Sequence, residues 1–564
     1  MKWITFFLFL SVVIHPSLSF CDDFSDSQLN KGVKNSDTYS YILIEKARED
    51  RAHAVELLKK ALLYSPDLPA VYFELSKAVF SFSEEGILNS VDYVIQGMDA
   101  YSRNFWWSFT LMGCVVFSGI ISFVVACALI VIVRLFNDIP LVSHDIEETN
   151  ARGLILVVIM AFSLASPLLF LGMALILLGI YMKRYDKSIV YLFLLFLAFY
   201  PVFSRMATTY VRTSSSGAVK AIVKVNEGKD NDYAISQLKE SKDFAPLYSY
   251  ALALKRKGRY EEAIAVYKRL LENRRDARVY VNLGNCYVGQ YNFEEGKRSI
   301  LQQATEAYTA AISLKPLPSA YYNLSQVSRE MFDFAAGEQY FRSALAIDRV
   351  AVSGYRTIAG RNVNRFVMDE TLTPSEIWDF VFKRFYAPSY SVLAVVPPPA
   401  ISLAAVILFV LFYLMDTLWH QHSFRCRKCG TILCFKCEKR ITWGEMCPQC
   451  FGSLVKLDEF DVKERVAWLL GIYEQQRRHR ATMKVLSFTF PGLSQAYAGR
   501  IFAGFLFLWP FLFFLLLYVI LGTFVPVSHL ISHGFFKWAT LAISMGLYLI
   551  FHYFTKKRIA RGWL

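Results

Sequence analysis

The sequence predicts an all-α protein that crosses a membrane several times, carries soluble helical-repeat segments and holds a small zinc-binding module. Three observations predict this. Hydrophobic residues make up 55% of the 564 and charged residues only 19%, an excess of apolar character that several spans of ~20 residues would produce. The polar stretches between the apolar runs place small and aromatic residues at helical offsets. Six of the 10 cysteines fall in three CxxC pairs between Cys426 and Cys450. The net charge of +14 is not read as nucleic-acid binding, because membrane proteins gather basic residues at their cytoplasmic flanks.

Residues 1–20 have the layout of a secretory signal peptide: Lys2, the apolar run Trp3 to Ile14, then His15-Pro16-Ser17-Leu18-Ser19. Leu18-Ser19-Phe20-Cys21 resembles a lipoprotein cleavage box, with Phe20 where that box has a small residue. An ordinary cleaved signal is preferred over lipidation or an uncleaved anchor.

Residues 21–105 form a polar, helical segment. Ala54, Leu58, Ala61 and Pro66 fall in a small-large-small-Pro series, and Tyr72, Leu75 and Ser76 open a further unit. The membrane region, 106–206, follows with two or three spans. The first runs from Trp106 to Val133, with Trp106 and Trp107 suited to the interface belt. The second runs from Gly153 to Met182, with Pro167 as its kink. The third, Ile189 to Phe203, is short, contains Pro201 and is flanked by Lys183, Arg184, Lys187 and Arg205. Spanning, re-entrant and interfacial placements are all open for it.

Residues 207–390 form the larger soluble segment. Gly258, Tyr260, Ala263 and Tyr267 make one unit; Tyr280, Leu283, Gly284 and Tyr287, continuing at Phe293, open the next. Ala304, Tyr308, Ala311 and Pro316 restart the pattern after about two extra turns, so the second helix of that unit reads as lengthened. Tyr321, Leu324, Phe334, Phe341 and Ala344 make a third. These series resemble tetratricopeptide repeats, helix pairs that bury their apolar faces only by stacking and leave a groove. The resemblance implies protein partners bound in that groove. The signature residues themselves read as packing core, and the sequence does not single out the groove residues.

A span at 397–416 follows Pro397-Pro398-Pro399 and leads into the CxxC module, 417–455. The spacing C-x2-C-x4-C-x2-C-x9-C-x2-C suits thiolate ligation, with zinc as the expected ion. The six candidate ligands are Cys426, Cys429, Cys434, Cys437, Cys447 and Cys450. Cys426, Cys429, Cys447 and Cys450 make the most economical site. Cys434 and Cys437 then either form a second site with His420 and His422 or replace a pair in the first. The run from His422 to Cys437 resembles the middle of a FYVE-type zinc finger, without that family's first CxxC pair. The module reads as a structural staple. Only Glu438 and Glu445 offer acids inside it, too little for a catalytic zinc.

Residues 456–490 predict a basic amphipathic linker helix with Val466, Leu469, Leu470 and Tyr473 on one face. Residues 491–564 predict a two-span hairpin with a basic tail. Phe490-Pro491-Gly492-Leu493-Ser494-Gln495-Ala496-Tyr497-Ala498-Gly499-Arg500 resembles the "PGxGQxYxG" opening of a bacterial two-span membrane family, with Ser494 in place of a glycine.

Charge sets the expected orientation. Residues 417–484 hold 13 Lys or Arg against 7 Asp or Glu, whereas 526–534 hold no Lys or Arg. The module and tail are therefore expected inside, where thiols also stay reduced. Both repeat segments are then extracytoplasmic, provided that Ile189–Phe203 does not fully span. The order of signal, repeats and paired spans resembles bacterial envelope-assembly proteins of the inner membrane. The expected function is a non-enzymatic scaffold; a zinc- or redox-responsive sensor and a transporter component are the alternatives. The stretches 108–133, 154–182 and 502–525 lack Asp, Glu, Lys, Arg and His, which argues against transport. No HExxH, GxSxG or phosphate-cradling motif is present.

Overall fold

The computed structural model describes residues 33, 35–147, 166–229, 231–293, 297–361, 367–386, 396–418, 423–426, 428–434, 446–454, 462–523 and 533–561. These form two compact units. The repeat unit takes the described residues up to Phe109 together with Thr209–Tyr386; the membrane unit takes those of Thr110–Thr208, Ala387–Val525 and His533–Leu564. The leader, residues 1–20, lies outside the described residues.

In the repeat unit, helices Asp37–Glu49 and Ala54–Tyr64 form a first pair, and Pro69–Val79 and Glu84–Arg103 a second. Ala54, Leu58 and Ala61 are buried, as helical spacing at 0, 4 and 7 requires of one face. Pro69 opens the third helix, where its missing N–H has no intrahelical partner to lose.

After the membrane stretch the unit resumes with a short helix pair, Gly217–Asn226 with Asp232–Leu238, and then with three longer ones. The longer ones are Phe244–Arg256 with Tyr260–Asn273, Ala277–Phe293 with Arg298–Leu314, and Pro318–Glu330 with Phe334–Ile347. Both helices of the middle pair have 17 residues, against 13 and 14 in the pairs either side. The extra turns are thus shared between the two helices, and Phe293 closes the first rather than continuing the second. Gly284 permits this pair to close, because a Cβ there would stand 2.6 Å from the Tyr308 ring.

The two repeat segments, far apart in the chain, belong to this one unit. Lys229 reaches Asp37 at 3.7 Å. Phe105, Phe109, Tyr210 and Trp378 form an aromatic cluster with centroid separations of 4.8–6.4 Å. Trp106 and Trp107 are buried here, Trp107 edge-on to Tyr101. They therefore serve protein packing and do not stand free in an interface belt.

Among the described residues four helices are long and apolar enough to span: Phe105–Leu135, Pro398–Thr417, Ile501–Gly522 and Gly534–Ala560. Pro398–Leu418 buries Ile401, Ala405, Leu408 and Phe412 and leaves Leu403, Val406, Ile407 and Val410 exposed. A helix apolar on both faces fits a lipid surround. Pro167 begins the shorter helix Pro167–Gly179 after an extended Ser166, so it opens a helix and does not kink one. Residues 153–165, the start of the expected second span, lie outside the described residues.

The third apolar stretch is broken. Ser188–Ala198 and Tyr200–Ser215 meet at 52°, and pass the length and hydropathy test for a span only as a pair. Pro201 in the first turn of the second helix removes an N–H, which a straight continuation would need. Gly172 lies against Leu197 and Phe193, while Gly179 lies against Val190 and Phe412. Pro167–Gly179 and Ser188–Ala198 therefore run antiparallel.

Polar contacts mark the two ends of the membrane unit. Thr110 bonds His533 at one end. At the other, Lys187 pairs with Asp416 and the Asp186 carboxylate accepts from the Phe502 N–H at 2.7 Å. Trp509 on Ser122 lies between. The Phe105–Glu147 helix has 43 residues, about 64 Å at 1.5 Å per residue. It exceeds a ~30 Å hydrocarbon core and carries its last turns past the Asp186 end.

Candidate metal centre and repeat groove

The CxxC module is built on that overhanging helix. Phe424–Arg425 and Ile432–Leu433 form a two-stranded antiparallel hairpin. Gly430 makes its turn at φ +76°, a conformation that a Cβ would strain. The hairpin presents Cys426 and Cys429, and the short helix Pro448–Leu454 begins just after Cys447 and carries Cys450. The four Sγ atoms all lie within 4.8 Å of one another. Thiolates at ~2.3 Å from one tetrahedral ion would be ~3.8 Å apart, so this donor set fits a four-thiolate metal site.

Burial pushes the Cys426 thiol up, but backbone N–H groups of Cys429, Cys447 and Lys428 outweigh it and hold it at about 7. Burial pushes Cys447 and Cys450 up. A cation among the four sulfurs would supply the missing positive charge.

Of the six predicted ligands, the structure brings these four together. Cys434 is buried but not in the group. Cys437, His420 and His422 lie outside the described residues, as do Glu438 and Glu445.

The module is anchored on both sides. Arg425 donates to the Asn137 carbonyl at 2.6 Å, and the Ser423 N–H to Asp145 at 3.1 Å. From the helix Val462–Thr489, Trp468, Leu469 and Ile472 pack on the cysteine cluster. The expected face of that helix was Val466, Leu469, Leu470 and Tyr473. Only Leu469 is in the contact; the other three are exposed, because the helix turns Trp468 and Ile472 to the cysteines instead.

The "PGxGQxYxG"-like string forms the junction beside it. Gly492 has φ +95°, and a Cβ there would fall 2.2 Å from the Gly504 carbonyl. Gln495 donates to Thr555 at 2.6 Å, and Arg134 and Asn137 donate to the Tyr497 carbonyl. Its polar residues tie helices together.

The repeat groove is the second site, and its residues were not legible in advance. The first helix of each successive pair contributes: Asn226, Tyr248, Asn282 and Asn285, then Ser319 and Asn323. Asn282, Asn285 and Asn323 are fully buried. Along them lies the extended segment Val367–Leu372 of the same chain. Asn323 accepts from the Met368 N–H at 2.7 Å and donates to its carbonyl at 2.9 Å. Asn282 does the same for Glu370, at 2.9 Å in both directions. Tyr248 adds a bond to the Glu370 carbonyl, Asn285 one to the Met368 carbonyl, and Asn226 accepts from the Leu372 N–H.

Two acidic side chains are held beside this ladder. Asp369, with a side chain 5% exposed, pairs with Lys255 and Arg256 and accepts from Asn285. Ser319 donates to Glu370. Burial raises the Glu370 carboxyl, Asp369 adds to this, and Ser319, Arg278 and Lys315 oppose it. The sequence did contain a signal. Asn282 and Asn323 each stand immediately before a signature leucine, Leu283 and Leu324, and so share one register of their repeats.

The tetratricopeptide repeat family model matches residues 245–276 and 318–350. No curated protein matches the chain. The matched stretches are the pairs either side of the lengthened one. The chain is thus an all-α protein with tetratricopeptide repeats and, among the described residues, four helices able to span a membrane and a four-cysteine cluster able to hold a metal. Repeats of this class are a protein-interaction fold.

Proposed function

We propose that this protein is a non-enzymatic scaffold of a bacterial inner membrane, holding protein partners in its repeat groove for assembly outside the cytoplasm. The observation that carries the reading is the groove itself. Its buried asparagines bond to the main chain of an extended segment, which is how an assembled helical-repeat surface captures a peptide.

Zinc is the ion proposed for Cys426, Cys429, Cys447 and Cys450, since four thiolates favour it and close its coordination. Its role there is structural: the module has few buried apolar residues of its own and gains stability from the ion. Cys434 and Cys437 are proposed as additional ligands of the same module. The module and the basic tail are assigned to the cytoplasm and the repeat segments to the far side. Lys187, Arg134 and Arg500 lie at the Asp186 end of the membrane unit, in keeping with the charge rule.

Affinity purification of the full-length protein in mild detergent, with quantitative mass spectrometry, tests the scaffold. The expected result is a set of proteins lost from the Asn282→Ala/Asn323→Ala variant while background proteins are unchanged. Identical recoveries from the two would refute partner binding through the groove. Metal analysis after purification should find zinc bound in wild type and absent from Cys447→Ser.

A further inference from the structure

We infer that Val367–Leu372 is a built-in competitor for the repeat groove, and that the groove's true partner is an extended acidic peptide that displaces it. This rests on the partner-binding reading above and names both the ligand class and its control.

The first argument concerns the main chain. A helix satisfies its own N–H and C=O groups, but an extended segment needs outside partners for each. In an extended chain the N–H and C=O of one residue point to the same side, and those of residues i, i+2 and i+4 share that side. Met368, Glu370 and Leu372 are such a series. Asn323, Asn282 and Asn226 meet them in turn. The primary amide of asparagine offers an acceptor and donors together, so one side chain closes both bonds of one peptide residue. This is strand addition with the neighbouring strand replaced by a row of side chains. It recognises any extended main chain, including one supplied by another protein.

The second argument concerns selection. The groove reads three side chains of its occupant. Met368 is buried against Tyr322, Ala344 and Val352. Asp369 sits with Lys255 and Arg256, and Glu370 with Ser319. A strap that only closed the fold would be held more cheaply by apolar side chains, since burying carboxylates costs free energy even when they are paired. Here the segment is held by main chain and charge, both of which a peptide in trans can offer. The partner's pattern is accordingly an apolar residue followed by two acidic ones, with an apolar residue two positions further on.

The third argument concerns the tether. The segment runs directly into the Thr373–Glu376 capping box of the helix Pro374–Phe385. A tethered ligand acts at an effective concentration of order mM. It blocks weak trans ligands and yields to a tight or multivalent one.

The test uses the full-length protein in detergent and a fluorescent peptide copying residues 367–373. The expected result is binding to Asp369→Ala/Glu370→Ala at least ten times tighter than to wild type. Adding Asn282→Ala/Asn323→Ala to that variant should remove it. Equal binding to wild type and variant, or no binding to a variant that retains its helical signal and melting transition, would overturn the inference. Hydrogen exchange in the unmodified protein covers the case of a misfolded variant. Excess peptide should speed exchange of the Met368, Glu370 and Leu372 amides, and unchanged rates would overturn it equally. The scaffold reading has a separate test, since partners lost with the asparagines but indifferent to the acidic pair would leave it intact and sink only the competitor.

Discussion

The cysteine cluster and the asparagine groove are both polar sites closed by buried side chains, yet only one was visible in the sequence. The cluster draws its four thiols from Cys426 to Cys450, a single short stretch of a scarce residue type at fixed spacing. The groove draws on Asn226, Asn282, Asn285 and Asn323 and then on Met368 to Leu372, common residues brought together over almost 150 positions. Local constellations can be read from spacing; constellations assembled by stacking need the stack. The comparison also separates two kinds of stability, one that a bound ion would supply and one supplied by the chain's own peptide.

Removing the ion should have the largest effect. A structural zinc contributes on the order of 10 kcal/mol to a small domain. Chelation, or Cys447→Ser, should therefore open residues 423–454 to proteases while the repeat unit keeps its protection. Cys434 lies outside the four-thiol group, so Cys434→Ser should leave the ion among those four thiols bound. Equal loss from both variants would erase the distinction between the pairs.

The next effect is at the membrane junction. Gly492→Ala places a methyl 2.2 Å from the Gly504 carbonyl, at a φ of +95°. A penalty of about 3 kcal/mol is expected, read as reduced yield and a lower detergent melting temperature. Wild-type behaviour would show that these glycines do not set the helix approach.

In the groove, Asn282→Ala deletes both bonds to Glu370 and one to Tyr248. About 2–3 kcal/mol of protection should vanish from the segment's amides, with metal content unchanged. Retained protection would show that the apolar contacts of Met368 and Leu372 hold the segment alone.

What could be read beforehand follows the same division. Ala54, Leu58 and Ala61, and likewise Ala263, Tyr267, Ala304 and Tyr308, are buried at their expected offsets because helical spacing fixes which side of a helix they occupy. The placement of the lengthened pair's extra turns was missed, since a repeat signature does not say where an inserted turn goes. The linker helix shows the limit of periodicity: Val466 and Leu470 fit an apolar face, but contact with the cysteine cluster selected Trp468 and Ile472. The merging of the two repeat segments into one unit depends on Phe105, Tyr210 and Trp378, which no local pattern relates.

The smallest expected effect is a pH dependence. Burial raises the Glu370 carboxyl above its ordinary value of 4.5, so the docked form binds a proton more tightly than the released form. By linkage, its contribution to docking is fully present below the ordinary value and lost as pH rises through the raised one. Asp369, Arg278 and Lys315 face the same carboxyl and are common to wild type and Glu370→Gln. The difference between the two therefore isolates this group. Wild-type docking should weaken as pH rises through the raised value while that of the variant does not, so the gap between them should change with pH. A gap constant with pH would exclude protonation of Glu370 as its cause.

The central claim, that the groove holds a protein partner, is tested most directly by photo-crosslinking in living cells. A photoreactive residue at Lys315, exposed and near enough to Glu370 to influence its carboxyl, reports on whatever enters the groove. The account predicts a crosslink to another protein that disappears with Asn282→Ala/Asn323→Ala. Crosslinks confined to the chain itself, or a partner that persists without the asparagines, would contradict it.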